Sequence, residues 1–259
     1  SLIRFGLFTM TDVKKVLFLD MHHIICDGFS TQIILNDVRN ILQGEPLIAL
    51  THDYIDYSYW QKSDSERWNN QRNYWKEKLS GELPIIDLSF MEDREGLDLM
   101  KADIVSLNIL DNHYEQIKSI LKKEEITDFM FFIALYFVLL QKITGQEDII
   151  IGTDVVGRTH ASTKNIVGTF VNILPLRMDV SQEQSFAEFL SQVKEEVLRA
   201  FSHQDVQFDD MVKMIELPEN PNILPIVQVH FSFNNYEKVR EGFQIDDVRY
   251  TPINLLDKA

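Results

Sequence analysis

A pair of adjacent histidines at the end of an apolar run constrains this chain most. Val16-Leu17-Phe18-Leu19 is too short for a helix and reads as a buried strand. It leads into Met21-His22-His23-Ile24-Ile25-Cys26-Asp27-Gly28-Phe29-Ser30. Behind that stretch Ile33, Ile34, Leu35, Val38, Ile41 and Leu42 recur at helical spacing. Asp27, Gly28 and Ser30 stand where that helix begins, and Asp and Ser are good N-caps. The histidines therefore sit at a strand end, just ahead of a helix N-terminus. Backbone N–H groups and the helix dipole stabilise developing negative charge at such a place.

Four readings fit these residues. The pair and its capping aspartate can be structural parts of the turn. They can form a metal site from His22, His23 and Asp27. Neighbouring side chains on extended backbone point to opposite sides, so one ion does not easily take both imidazoles, and no metal is expected. Cys26, the one cysteine of the chain, can pair with a histidine as a nucleophile. Its neighbour Ile25 favours apolar packing instead. The fourth reading is acyl transfer with one histidine as general base, and the remaining motifs favour it.

His22-His23-Ile24-Ile25-Cys26-Asp27-Gly28 resembles the H-H-x-x-x-D-G motif of nonribosomal peptide synthetase condensation domains. Tyr54-Ile55-Asp56-Tyr57-Ser58-Tyr59-Trp60 resembles that family's Y-x-D-Y-x-x-W segment. Val167-Gly168-Thr169-Phe170-Val171-Asn172-Ile173-Leu174-Pro175-Leu176-Arg177 resembles its V-G-x-F-V-N-x-L-P-L-R segment. His203-Gln204-Asp205-Val206-Gln207-Phe208-Asp209 resembles its H-Q-D-x-P-F-E segment, with Gln207 in place of the usual proline. The first motif alone is shared with chloramphenicol acetyltransferase-like enzymes. The four together, in the family's order, cover essentially the whole chain.

The resemblance implies an α/β fold of two chloramphenicol acetyltransferase-like sandwich lobes in a V, with the active site at their junction and both ends truncated. Residues 1–79 are the expected remainder of the N-terminal lobe, 80–102 a connector and 103–259 an incomplete C-terminal lobe. The chain starts inside a strand-like run at Ser1 and stops just after another, so it reads as an internal fragment of a multidomain synthetase. The missing N-terminal stretch is expected to carry the arginine that pairs with the motif aspartate.

Composition narrows the partners. A formal net charge of -15 with no basic cluster makes a poor nucleic-acid binder. The 45% apolar content suffices for a sizeable core. One cysteine gives no disulfide framework and fits a reducing, cytoplasmic setting. The longest apolar run, Phe129 to Leu140, is too short to span a bilayer and reads as a core helix.

Along the chain, strands are expected at Ile3–Thr9 and Val13–Met21, then the histidine motif with its helix, then a long helix from about Tyr54 to Leu79 carrying Trp60, Trp68 and Trp75 as packing residues. A strand is expected at Asp103–Leu110, and Asp111 or Asn112 is expected to cap a helix over Tyr114–Leu121. Thr127 caps a helix that Thr144-Gly145 closes. Strands follow at Asp148–Thr153 and Phe170–Met178. Ser185 and Glu188 form a capping box for a helix to Phe201. A helix over Val206–Ile215 and strands at Ile226–Phe233 and Phe243–Tyr250 complete the pattern.

By the resemblance, the reaction joins a donor acyl or peptidyl thioester to the α-amine of an acceptor aminoacyl thioester. Both are held on phosphopantetheine arms of carrier-protein domains, and an adjacent adenylation domain is a further expected partner. No directly bound cofactor, nucleic acid or membrane is implied. His23 is assigned as the general base or the group that positions the amine. His22 is expected to turn into the fold and hold the loop, and Asp27 to act structurally. Gly28 is a candidate oxyanion donor through its N–H, and Asn172 a candidate lining the substrate chamber. Asp205 and His203 are expected to organise the second lobe; His52, His113, His160 and His230 receive no role. Among rivals, an epimerisation domain shares the first motif but differs around the V-G-x-F-V-N and H-Q-D segments. A heterocyclisation domain would have Asp in place of the histidine pair, and a stand-alone CoA-dependent acyltransferase would lack the tyrosine-rich and H-Q-D segments. A carrier-docking domain that has lost activity is the non-enzyme alternative.

Overall fold

The structure is a computed structural model that describes all residues except 64, 87, 89–102, 216–223, 235–242, 246–247 and 252–259. Most of the expected connector and the last residues of the chain therefore lie outside the described residues. Contacts divide the chain into two compact units. The first comprises Ser1–Trp68, Val156–Asn172 and Asn234–Ala259, the second Asn69–Val155 and Ile173–Phe233. Residues 69–79 fall in the second unit and 156–172 in the first.

In the first unit, β1 (Ile3–Thr11) and β2 (Lys14–Met21) form an antiparallel hairpin with Ile3 opposite Met21 and Leu7 opposite Leu17. A 3₁₀ turn over His23–Ile25 connects it to α1 (Gly28–Gln43), which ends at Gly44 in the left-handed conformation (φ 72°). Over the expected long helix the described residues are helical in α2 (Tyr54–Ser63) and α3 (Ser65–Lys78). The expected last strand is a short antiparallel pair, β6 (Phe243–Ile245) with β7 (Val248–Tyr250).

In the second unit, α4 (Asp111–Glu124) is followed by α5 (Asp128–Thr144) and β3 (Asp148–Val155). β4 (Asn172–Asp179) and β5 (His230–Phe231) flank β3, and β5 runs parallel to it. Ile149, Ile150 and Ile151 are buried on successive positions, so β3 is covered on both faces. α5 presses Met130, Phe131, Ile133, Ala134 and Phe137 into the core, and α6 (Phe186–Ser202) packs beside it. The capping box of Ser185 and Glu188 is present, as is the cap of Thr127 on Met130 N–H. α7 (Phe208–Met214) completes the helices. The H-Q-D segment packs here. Asp205 accepts from Gln71 Nε2 (2.8 Å) and its N–H donates to Gln71 Oε1 (3.0 Å). Trp75, fully buried, donates through Nε1 to the His203 carbonyl (2.8 Å), and His203 stacks on Tyr74. Arg177 donates to Asp148 and to the carbonyls of Ser80 and Glu82, tying the end of α3 to the sheet.

Three expectations are corrected here. Asp103–Leu110 forms no strand: Ile104, Val105 and Leu107 are exposed, and without a partner among the described residues the segment cannot form a ladder. The N-cap of α4 is Leu110, without a side-chain hydrogen bond, and Asp111 lies in the first turn instead. Ile226–Phe233 contributes only the two residues of β5, because Ile226 takes a left-handed conformation (φ 62°) that no strand accommodates.

Candidate functional site

β2 delivers the chain to Met21, and His22 N–H donates to the Leu2 carbonyl (2.8 Å). The 3₁₀ turn over His23–Ile25 then redirects it into α1. Asp27 caps α1 as the sequence implies, Oδ1 accepting from Ser30 N–H at 2.7 Å. Its other oxygen accepts from Phe170 N–H at 2.9 Å. Arg158 Nη2 lies 3.3 Å from Oδ1, and both side chains are almost fully buried (3% and 4% exposed). The expectation that the arginine partner lies outside this chain is thereby corrected. No local pattern couples the two residues, since 131 positions separate them.

Arg158 joins several segments of the first unit. Nη1 donates to the carbonyls of Thr163 and Ile166, and Nη2 donates also to Ser30 Oγ (2.8 Å). Its guanidinium carbon lies 4.0 Å from the Phe170 ring centroid and 4.8 Å from that of Phe29, within cation–π range. Nε is buried with no hydrogen-bond partner among the described residues. Ser30 Oγ donates in turn to the Gly168 carbonyl (2.7 Å) and accepts from Gly168 N–H (3.0 Å). Burial pushes the Asp27 carboxyl up, but the bonds from Phe170 and Ser30 and the charge of Arg158 outweigh it and hold Asp27 below its ordinary value. Burial lowers the Arg158 guanidinium against the opposing pull of Asp27.

The tyrosine-rich segment closes on the same place. Tyr54 OH donates to the Thr169 carbonyl (2.7 Å), and the Tyr54 and Tyr57 rings contact Phe170 at 5.1 and 4.6 Å between centroids. A Cβ on Gly168 would come within 2.1 Å of the Tyr54 ring. One on Gly157, at φ 66°, would come within 1.9 Å of the Phe170 carbonyl oxygen. Two approaches thus require glycine. Three of the four quoted motifs meet in this unit around one buried carboxylate.

The histidines lie at the surface of this knot. His22, expected to turn into the fold, is exposed, and its Nδ1 accepts from Ile24 N–H at 3.1 Å. His23 is exposed, and its ring makes no hydrogen bond among the described residues. Its carbonyl accepts from Thr169 Oγ1 at 2.6 Å. The Gly28 amide, at the first position of α1, has no acceptor among the described residues, so it can donate to an anion. Asn172 is buried at the start of β4. His203 and Asp205 belong to the second unit, as described above. Among the described residues no group of His, Cys, Asp or Glu is placed to hold a metal ion. No single helix among them is long and apolar enough to cross a membrane. Arg158 and Thr169 are the residues that sequence reasoning did not single out. The one available signal for Arg158 was the Gly157-Arg158 pair just beyond an apolar strand.

Cys26 is buried, its Sγ 3.4 Å from the Asp27 carbonyl and 3.6 Å from Thr31 Oγ1. A serine hydroxyl can keep both contacts. Cys26→Ser is therefore expected to shift the melting midpoint by less than about 3 °C, roughly 1 kcal/mol for a chain of this size. A loss well beyond that in thermal denaturation would make the thiol's packing essential.

Residues 1–255 match the family model for the condensation domain, and the chain belongs to that family. It is 36% identical over 235 residues to surfactin synthase subunit 1 of Bacillus subtilis (strain 168), covering 90% of this chain and 7% of that protein. It is 34% identical over 259 residues to tyrocidine synthase 3 of Brevibacillus parabrevis, covering 99% of this chain and 4% of that protein. The chain thus spans a small fraction of the synthetases it matches. Among solved structures, the X-domain from teicoplanin biosynthesis superposes with a TM-score of 0.77 at 22% identity, over 88% of this chain and 54% of that one. A holo four-domain nonribosomal peptide synthetase, AB3403, bound to AMP and glycine, superposes with a TM-score of 0.76 at 23% identity, over 90% of this chain and 18% of that one. These neighbours share its mixed helix-and-strand fold.

Proposed function

We propose that this chain forms part of an amide-forming condensation domain of a cytoplasmic nonribosomal peptide synthetase, whose complete domain has two acetyltransferase-like lobes in a V. The supporting observation is the convergence of the histidine loop, the Tyr54 segment and the Val167–Asn172 segment on buried Asp27, which leaves the His23 ring exposed. The substrates are a donor acyl or peptidyl thioester and an acceptor aminoacyl thioester, each on the phosphopantetheine arm of a carrier domain. An adenylation domain is the further partner.

In the reaction the acceptor α-amine attacks the donor thioester carbonyl. The C–N bond forms, the C–S bond breaks, and the donor arm leaves as its thiol. An α-amino group has a pKa near ~8, so a useful fraction is neutral at cellular pH. His23 meets that amine, either as its general base or as the group that positions it, and the proton the amine loses passes to the departing thiolate. The Gly28 N–H, at the positive end of α1, faces the need for an oxyanion donor. In this reading Asn172 lines the substrate chamber.

The test is reconstitution. The parent condensation domain is mixed with a loaded donor carrier and a loaded acceptor carrier, and intact-protein mass spectrometry follows the acyl groups. The expected result is dipeptidyl product on the acceptor carrier. A donor residue that is only inverted at its α-carbon, or carriers that stay unchanged while binding the domain, would replace this function with epimerisation or docking respectively.

A further inference from the structure

The peptide unit between His23 and Ile24 is held at both ends. Its N–H donates to His22 Nδ1 (3.1 Å), and its carbonyl accepts from Thr169 Oγ1 (2.6 Å). Within the 3₁₀ turn the same carbonyl receives only the longer bond from Cys26 N–H (3.3 Å). Thr169 is fixed in turn, because Tyr54 OH donates to its carbonyl (2.7 Å) and the Tyr54 ring sits against Gly168. Ser30 ties Gly168 into the Asp27–Arg158 knot. Partial burial raises the Tyr54 phenol above its ordinary pKa, with Asp27's charge adding to the effect, so it stays protonated and remains a donor.

A clamped peptide plane fixes ψ of His23 and φ of Ile24, and with them the direction in which the His23 Cα–Cβ bond leaves the loop. The His23 ring itself makes no hydrogen bond among the described residues. Its aim therefore depends on this backbone. We propose that Thr169 is a positioning residue for His23: its hydroxyl, held by Tyr54, sets the orientation from which the imidazole meets the acceptor amine. This rests on the reading of His23 as the group that meets that amine.

The experiment uses the parent protein with Thr169→Val, which keeps the shape and removes the hydroxyl, and Thr169→Ser, which restores it. Two quantities are read: the single-turnover rate of amide formation against acceptor-carrier concentration, and the ¹³Cε1–H NMR signal of His23, assigned by its loss in His23→Ala. Misplacing a reacting group by about 1 Å costs on the order of a hundredfold. Thr169→Val is expected to lower the maximal rate by roughly tenfold to a hundredfold, to leave half-saturation by the acceptor carrier unchanged, and to displace or split the His23 signal. Thr169→Ser is expected to restore both. Wild-type rate with an unmoved His23 signal in Thr169→Val overturns the proposal, and so does failure of Thr169→Ser to restore either readout. If Thr169→Val does not fold, Tyr54→Phe gives the same two readouts with a smaller expected rate loss, and an unmoved His23 signal there also overturns it. Full activity of His23→Ala would remove the role of His23 itself, whereas the NMR signal tests the clamp independently.

Discussion

Asp27→Ala is expected to lower the melting midpoint of this chain by about 6–20 °C, from the roughly 3–5 kcal/mol that a buried ion pair loses when one partner is removed. The cap of α1 is lost with it, a loss worth about 0.5–2 kcal/mol by itself. The substitution strips Arg158 of its countercharge in a place where the guanidinium is 3% exposed. It also leaves Phe170 N–H and Ser30 N–H without their acceptor. Because Arg158 is in this chain, the full effect belongs here and does not shrink to the cap alone. The Asp27 carboxyl is held below its ordinary value in the native state, so the wild type has this stabilisation in full above the unfolded-state pKa of about 3.9. It loses the stabilisation as pH falls through the lower native value. The acid limb of a stability–pH curve is expected to flatten in Asp27→Ala. Arg158→Met should also destabilise, and the double substitution should cost less than the sum, since it removes the uncompensated charge. Additive losses, or an unchanged midpoint in Asp27→Ala, would show that the pair is not the keystone of the unit.

This pair also marks what a sequence reader can and cannot see. Asp27 was legible as a cap because a cap obeys a local rule, an acceptor just ahead of apolar helical spacing. The Ser185–Glu188 box and Gly145 were legible for the same reason. Arg158 was not, because its meaning is set by a contact 131 residues away. The motif resemblance implied an arginine partner in the missing N-terminal stretch, and Arg158 of this chain takes that place. Thr169 fell on the variable position of its motif, and its role emerges only when the loop carrying His23 lies against it. Secondary structure divides along the same line. β3, a continuous isoleucine run, was plain; Asp103–Leu110 read as a strand but finds no partner among the described residues, and Ile226 broke its expected strand through a backbone conformation that isoleucine rarely adopts. The H-Q-D segment was expected to organise residues of the second lobe, whereas Asp205 bonds Gln71 and the His203 carbonyl bonds Trp75, both from the helix expected in the first.

His23→Ala in the parent condensation domain is expected to reduce amide formation by about 10²–10⁴-fold, the range for loss of a positioned base, with the melting midpoint nearly unchanged. The structure separates the two quantities. The His23 ring is exposed and bonds to nothing among the described residues, so its removal takes little from folding. The elements that fix the loop, the His22 bond to Ile24, the Thr169 bond to the His23 carbonyl and the Asp27 cap, all use other atoms. The assay is the single-turnover appearance of dipeptidyl product on the acceptor carrier by mass spectrometry, run across pH. If the imidazole removes the proton, the rate–pH profile of the alanine variant differs in shape from that of the wild type. If it only orients the amine, the variant keeps the wild-type pH profile at a lower rate, because the neutral fraction of the amine alone then sets the slope. His23→Gln discriminates further: it retains a hydrogen-bonding group of similar reach but cannot serve as a base, so substantial recovery with Gln over Ala assigns positioning, and equal loss assigns proton transfer. Near-wild-type turnover in His23→Ala would remove both roles and leave orientation of the two thioesters by the carriers as the main source of rate.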